Sequence, residues 1–179
     1  MSQRTSVPVS PPHPTESPRD QYLKVYEEEH ARTMRVLRAY PKEEAELRPH
    51  PKSKTARELA WMFVFEQGAV EKALTTGFDW ANPSPAPEAP SSFDAILSAF
   101  EKGHKHVAGL ISSLRDDELF ETVSFPTGPG RISDMPKIQF LRLMLHDQIH
   151  HRGQFSIYLR MAEGKVPAIY GPSADERWF

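Results

Sequence analysis

The 179-residue chain contains no cysteine. That absence excludes a disulfide framework, a zinc-thiolate centre and a cysteine nucleophile, so any bound metal must be held by His, Asp or Glu. A charge excess is missing too: 22 Lys and Arg stand against 24 Asp and Glu, a net of -2. With no broad basic field, neither nucleic acid nor an anionic membrane is expected as a partner. No apolar run reaches membrane-spanning length, and the first twenty residues lack the apolar stretch of a signal peptide. The cytoplasm is therefore the expected compartment. Neither a solenoid-type repeat nor a long heptad run is present.

What is present is an ordinary globular composition, 39% apolar and 26% charged, in a length that suits one well-buried core. Residues 1–19, with their PVSPPHP segment, read as a flexible Pro-rich arm in which His13 is solvated, and residues 20–179 as a single domain. From Asp20, the residues Tyr22, Tyr26, His30, Met34 and Leu37 recur at helical steps of three and four, and Pro41 closes that helix. Thr55 or Ser53 caps a second helix, with Glu58 placed as in a capping box. Leu59, Met62, Phe63, Glu66, Val70 and Leu74 carry this helix towards Gly77.

The segment NPSPAPEAP, residues 82–90, has four prolines and predicts a stiff, extended crossover. Ser91 or Ser92 then opens a third helix through Phe93, Ile96, Phe100, Val107 and Ile111. Its His104 and His106, two residues apart, point in different directions and are expected to be exposed. After Leu114 a Gly- and Pro-containing loop, with at most a small hairpin near Thr122–Phe125, leads to Asp134 and Pro136. These are expected to start the longest helix, running to about Ala162. In the irregular tail, Val166, Ile169, Tyr170 and Trp178 are placed to pack back on the helices. The pattern predicts an all-α four-helix bundle.

Three histidines sit in HDQIHHRGQ, His146 to Gln154. His146 and His150 are four apart, which stacks two imidazoles on one helix face where both can reach one cation. Such a pair is half of a metal site, and a bundle completes it with a donor from a facing helix. His151 is rotated by about 100° from His150 and shares an adjacent face with Asp147. That spacing suits a carboxylate holding an imidazole in one tautomer, as outer support for the metal or as a structural pair. Arg152, Gly153 and Gln154 read as packing residues, the glycine permitting close approach of a neighbouring helix or a dimer contact.

The run HDQIHHRGQFSIYLRMAEGKVPAIYGPSADE, His146 to Glu176, resembles the DinB family, and RELAWMFVFEQ, residues 57–67, is similar to that family's second-helix segment. The resemblance spans Asp20 to Glu176. It implies an up-down-down-up bundle, often dimeric, that holds a divalent metal such as zinc, nickel or manganese with one histidine from the second helix and two from the fourth. His146 and His150 match the fourth-helix pair, whereas Met62 occupies the second-helix histidine position. Glu66, one turn further on, is then the expected third ligand, with His30 of the first helix as an alternative approach.

Two functions follow as expectations. In the first, the metal activates water or a substrate thiol, giving transfer of a low-molecular-weight thiol or a related hydrolysis. In the second, the scaffold is a non-catalytic binding or stress-response protein whose metal pocket is empty, which accounts for Met62 directly. A homodimer and a small thiol or other small-molecule ligand are the partners that the resemblance implies.

Overall fold

The structure, a computed structural model, describes residues 16–83 and 85–178. Most of the proposed arm, including His13, lies outside the described residues. Four helices dominate: α1 (Pro18–Arg38), α2 (Ala56–Leu74), α3 (Phe93–Ser113) and α4 (Lys137–Met161). Short 3-10 turns at Lys42–Glu44 and Glu118–Phe120 punctuate the connections. α1 and α2 each pack against both α3 and α4. No described helix is long and apolar enough to cross a membrane.

The helix starts follow local chemistry. Ser17 accepts from Asp20 N, Thr55 and Glu58 form a reciprocal capping box, and Ser92 accepts from Ala95 N. Each satisfies backbone donors that a helix end leaves unpaired, an effect of about 1 kcal/mol apiece.

Between α3 and α4 the chain forms strands β1 (Thr122–Gly128) and β2 (Arg131–Pro136), paired antiparallel with Thr122 opposite Pro136 and a bulge near Pro126–Gly128. The all-α expectation is corrected by this two-stranded sheet. Asp134, expected as the cap of α4, lies on β2 and accepts from Ser124 Oγ instead. α4 starts three residues later, at Lys137, with no side-chain cap. The hairpin is seated by aromatic contacts: Phe125 meets Phe140 of α4 edge-on at 4.9 Å and Phe78 at 5.5 Å. Cross-strand pairing and this seating outweigh the single cap that Asp134 would have supplied.

The core comprises two apolar halves. One gathers Leu37, Leu59, Phe63, Ile96, Phe100 and Phe155; the other gathers Val70, Val107, Ile111, Ile138, Phe140 and Leu141. Each helix enters both, and between them its sequence turns polar: Glu29 and Thr33 on α1, Glu66 and Gln67 on α2, His104 on α3, Gln148 and Arg152 on α4, all buried. Buried polar groups need partners, so this belt carries most of the specific hydrogen bonding inside the protein.

Arg152, only 2% exposed, anchors the belt. It pairs with Glu29 Oε2 at 2.6 Å and donates to the Glu29 carbonyl and Thr33 Oγ1, both at 3.2 Å. It also donates to the Tyr170 hydroxyl at 2.5 Å, and that hydroxyl donates to Glu29 at 2.6 Å. The tail is thereby tied to α1 and α4. Val166 and Ile169 pack on the core as expected. Trp178 is corrected, being 57% exposed.

Candidate metal centre

Within the belt, on the α2–α4 side, three donors converge: Glu66 from α2, and Asp147 and His151 from α4. One ligand atom from each lies within 4.8 Å of the others. Asp147 and His151 are four residues apart, so one face of α4 carries both towards α2. Glu66 Oε1 is 2.5 Å from His151 Nδ1, while its Oε2 is buried without a hydrogen-bond partner. The Phe63 ring, centred 6.3 Å from the His151 ring, stands edge-on to it.

The electrostatics match this packing. Burial raises the Glu66 carboxyl to about 7; the His151 imidazole opposes that rise and the Asp147 carboxylate adds to it. His151 is raised above its ordinary value, chiefly by its hydrogen bond to Glu66, with burial opposing. Burial thus disfavours the Glu66 charge, while the contact with Glu66 favours the charged form of His151.

Two carboxylates and one imidazole form a borderline-to-hard donor set, suited to zinc or manganese and poorly suited to copper(I). The unpartnered Glu66 Oε2 supplies a buried lone pair aimed at no protein donor. Together with two donors fixed on one rigid helix, this set fits a divalent cation.

The residues singled out by sequence do not all meet in this group, although the His150 ring is centred 5.6 Å from that of His151. His146 and His150 are exposed and are not among the three donors; the Gln154 amide donates to His150 Nε2 at 2.9 Å. One residue of rotation separates their face from that of Asp147 and His151. Glu66 lies in the group, as expected from its place one turn beyond Met62. Met62 is half-buried and borders a cleft described below. Asp147 and His151 share a face as anticipated, yet the carboxylate that holds the imidazole is Glu66.

His30 is directed elsewhere, stacked on His104 with ring centres 3.6 Å apart. Burial and the nearby His104, Arg38 and Lys105 depress His30 to about 3. His104, expected to be exposed, is corrected: it is 4% exposed and binds Glu27 Oε2 through Nε2 at 2.8 Å. Phe100, His104, Val107 and Ile111 recur at helical spacing on the inward face of α3, which places the imidazole inside. His106 is exposed as expected, 3.3 Å from Glu71. Gly153 is exposed with nothing near the position of a Cβ, so it does not serve close helix packing within the chain.

The chain is 28% identical over 160 residues to a protein named Uncharacterized protein YrdA of Bacillus subtilis (strain 168), covering 88% of this chain and 90% of that protein. A DinB-like protein from Bacillus cereus ATCC 10987 superposes with a TM-score of 0.71 at 23% identity, covering 83% of this chain and 95% of the other. The DinB-like protein YjoA of Bacillus subtilis gives 0.63 at 14% identity, with 89% and 99% covered. Both likenesses establish the fold. The DinB family profile matches residues 1–177, nearly the whole chain, and on this match the protein belongs to the DinB family.

Proposed function

We propose that this chain binds a divalent cation through Glu66, Asp147 and His151 and acts as a metal-dependent enzyme on a small molecule. The observation that carries the reading is the convergence of these three donors, one of them a carboxylate whose Oε2 is buried without a hydrogen-bond partner. It repeats, with different residues, the layout expected of the family: one donor from the second helix and two, four apart, from the fourth. A bound cation would polarise a water or a thiol and so generate a nucleophile near neutral pH. The oxygen-rich donor set favours hydrolysis over thiol transfer, since thiolates pair best with softer centres. Glu66 Oε1 and His151 Nδ1 are in direct contact, and Asp147 is half-buried beside them.

An up-down-down-up bundle, a homodimer and a cytoplasmic location belong to the same proposal; the family resemblance supports the first two, and the composition supports the third. A second reading, a non-catalytic binding or stress-response protein, is favoured by the 2.5 Å contact between Glu66 and His151, which satisfies the imidazole without a cation. Metal content separates the two. After exposure to zinc or manganese and desalting, the wild type is expected to retain about one ion per chain, a single occupied site. Glu66→Gln and His151→Ala should lose it, and His146→Ala and His150→Ala should keep it. Absence of metal from the wild type would leave the second reading.

A further inference from the structure

A cleft that shares α2 with the candidate metal centre has a charge that the whole chain lacks. Its volume is about 730 Å³, and it lies between the start of α2, the loop before it and the Pro-rich crossover. Arg48, Lys52, Lys54 and Arg57 line it against only Glu58 and Glu88. Arg57 is engaged by Glu46 at 2.6 Å and Arg48 lies 3.6 Å from Glu58. Lys52 and Lys54, both exposed, have no ion-pair partner among the described residues. Two ammonium groups are thus free at one rim of a small cavity.

The lining also includes the apolar side chains of Trp61, Met62 and Phe65 from α2. The indole Nε1 of Trp61 donates to the Pro87 carbonyl at 2.8 Å, and Arg57 donates to the Ala89 carbonyl at 2.9 Å, so the crossover is fixed against α2. The other rim is fixed as well. Tyr158 of α4 donates to the Lys54 carbonyl at 2.9 Å, and Ala56 and Arg57 donate to the carbonyls of Leu47 and Ala45. The walls are therefore set before any ligand arrives, which lowers the ordering cost of binding. Met62 stands one helical turn before Glu66 on α2.

A cavity of this size suits a small molecule, and its lining dictates the chemistry. We propose that the cleft binds a small organic anion with a flat apolar body, its carboxylate or phosphate held by Lys52 and Lys54 and its body lying along Trp61 and Phe65. This assignment deepens the enzyme reading above, because it names the substrate class that would be presented to Glu66, Asp147 and His151.

The test compares naphthoate with naphthamide, which share a ring system and differ in charge, by isothermal titration of the full chain in EDTA at low salt. Naphthoate should bind about tenfold more tightly than naphthamide, and added salt should shrink the difference as screening does. The double variant Lys52→Gln/Lys54→Gln, at exposed positions, should reduce the preference to about twofold while leaving naphthamide unaffected. Trp61→Leu should weaken both probes, with circular dichroism verifying the fold. Equal affinity for the two probes, no binding of either, or an undiminished preference in the double variant overturns the proposal. Because the titration is run without metal, its failure is distinct from failure of the metal-content experiment.

Discussion

Glu66 Oε1 and His151 Nδ1 meet at 2.5 Å across the contact between α2 and α4, with Glu66 almost wholly buried. A structural ion pair and an uncoordinated metal site could share this geometry, and they differ in what removing the carboxylate does. Burial pushes Glu66 up to about 7 even though His151 pulls it down, so burial opposes its charge more than the imidazole supports it. Glu66→Gln keeps an acceptor and removes that burden. In EDTA at neutral pH the variant is expected to match the wild type within about 1 kcal/mol by urea unfolding. Loss of a buried pair that truly stabilises the fold would cost about 3–5 kcal/mol, and such a loss would identify the contact as structural. Zinc should raise Tm in the wild type and leave the variant unchanged, since a ligand stabilises only the state that binds it.

Arg152 presents the opposite case. Its guanidinium is buried with Glu29, Thr33 and Tyr170 arranged around it, and every one of those contacts is lost together if the charge is removed. Arg152→Met should leave the Glu29 carboxylate buried and short of its main partner, at a cost of about 3–5 kcal/mol. Glu29 retains Arg32 at 2.7 Å, which places the expected loss at the lower end. Tyr170→Phe removes one bridging hydroxyl and should cost about 1 kcal/mol. The double variant Glu29→Gln/Arg152→Met should recover part of the loss, and a strictly additive double variant would contradict the pairing. Urea denaturation of the wild type, Arg152→Met, Glu29→Gln, their double variant and Tyr170→Phe measures these values.

The stacked imidazoles of His30 and His104 give the fold a sensitivity to acid. His30 is held neutral down to about 3, whereas an unfolded chain protonates its histidines near 6.5. Between those values the unfolded state binds the extra proton. The contribution of His30 is therefore complete above about pH 6.5 and is lost as the pH falls towards 3. The groups facing it include His104 and Lys105 from α3 and Arg38 on its own helix, all opposing a positive charge there, while Glu27 engages His104. The urea midpoint of the wild type should fall between pH 7 and pH 5. His30→Phe, whose ring can replace the imidazole beside Phe100, should show a shallower fall. Parallel profiles for the two proteins would refute the assignment.

The features legible in the sequence were those governed by near neighbours. Thr55 and Glu58 form the capping box that their spacing announces, Ser92 caps α3, and the proline run falls between α2 and α3. What escaped was decided by distant partners. Asp134 has the sequence of a helix cap, but its backbone pairs with β1 and its side chain with Ser124. His104 shares the inward spacing of Phe100, Val107 and Ile111, but its partner Glu27, 77 positions away, is not visible in the local sequence. In α4 the overlapping spacings of His146 with His150 and of Asp147 with His151 are equally regular. Which pair faces α2 depends on how α4 is rotated about its axis. Arg152, buried against Glu29 of α1, lies on the inward face of α4 with Leu145, Gln148, Phe155 and Leu159, and an arginine ordinarily signals solvent. Glu66, a carboxylate among Phe63, Val70 and Ala73 on the apolar face of α2, is the one expected ligand that lies in the candidate group.

Two glycines inside helices separate intrachain packing from other uses of the residue. Gly103 of α3 faces Gln67, whose Oε1 would lie 2.2 Å from an added Cβ and whose Nε2 is bound to the Phe100 carbonyl at 3.0 Å. Gly103→Ala must displace that buried amide. The cost of the lost hydrogen bond, about 1–2 kcal/mol, should outweigh the gain in helix propensity of about 1 kcal/mol. Gly153 of α4 has open space where its Cβ would stand, so Gly153→Ala should collect the propensity gain alone and stabilise the chain by about 0.5–1 kcal/mol. Opposite signs in thermal unfolding are expected for the two variants. If Gly153→Ala instead lowers Tm and lowers the association state seen by sedimentation, the exposed face of α4 is an interface between two copies of the chain, and the glycine serves approach between molecules.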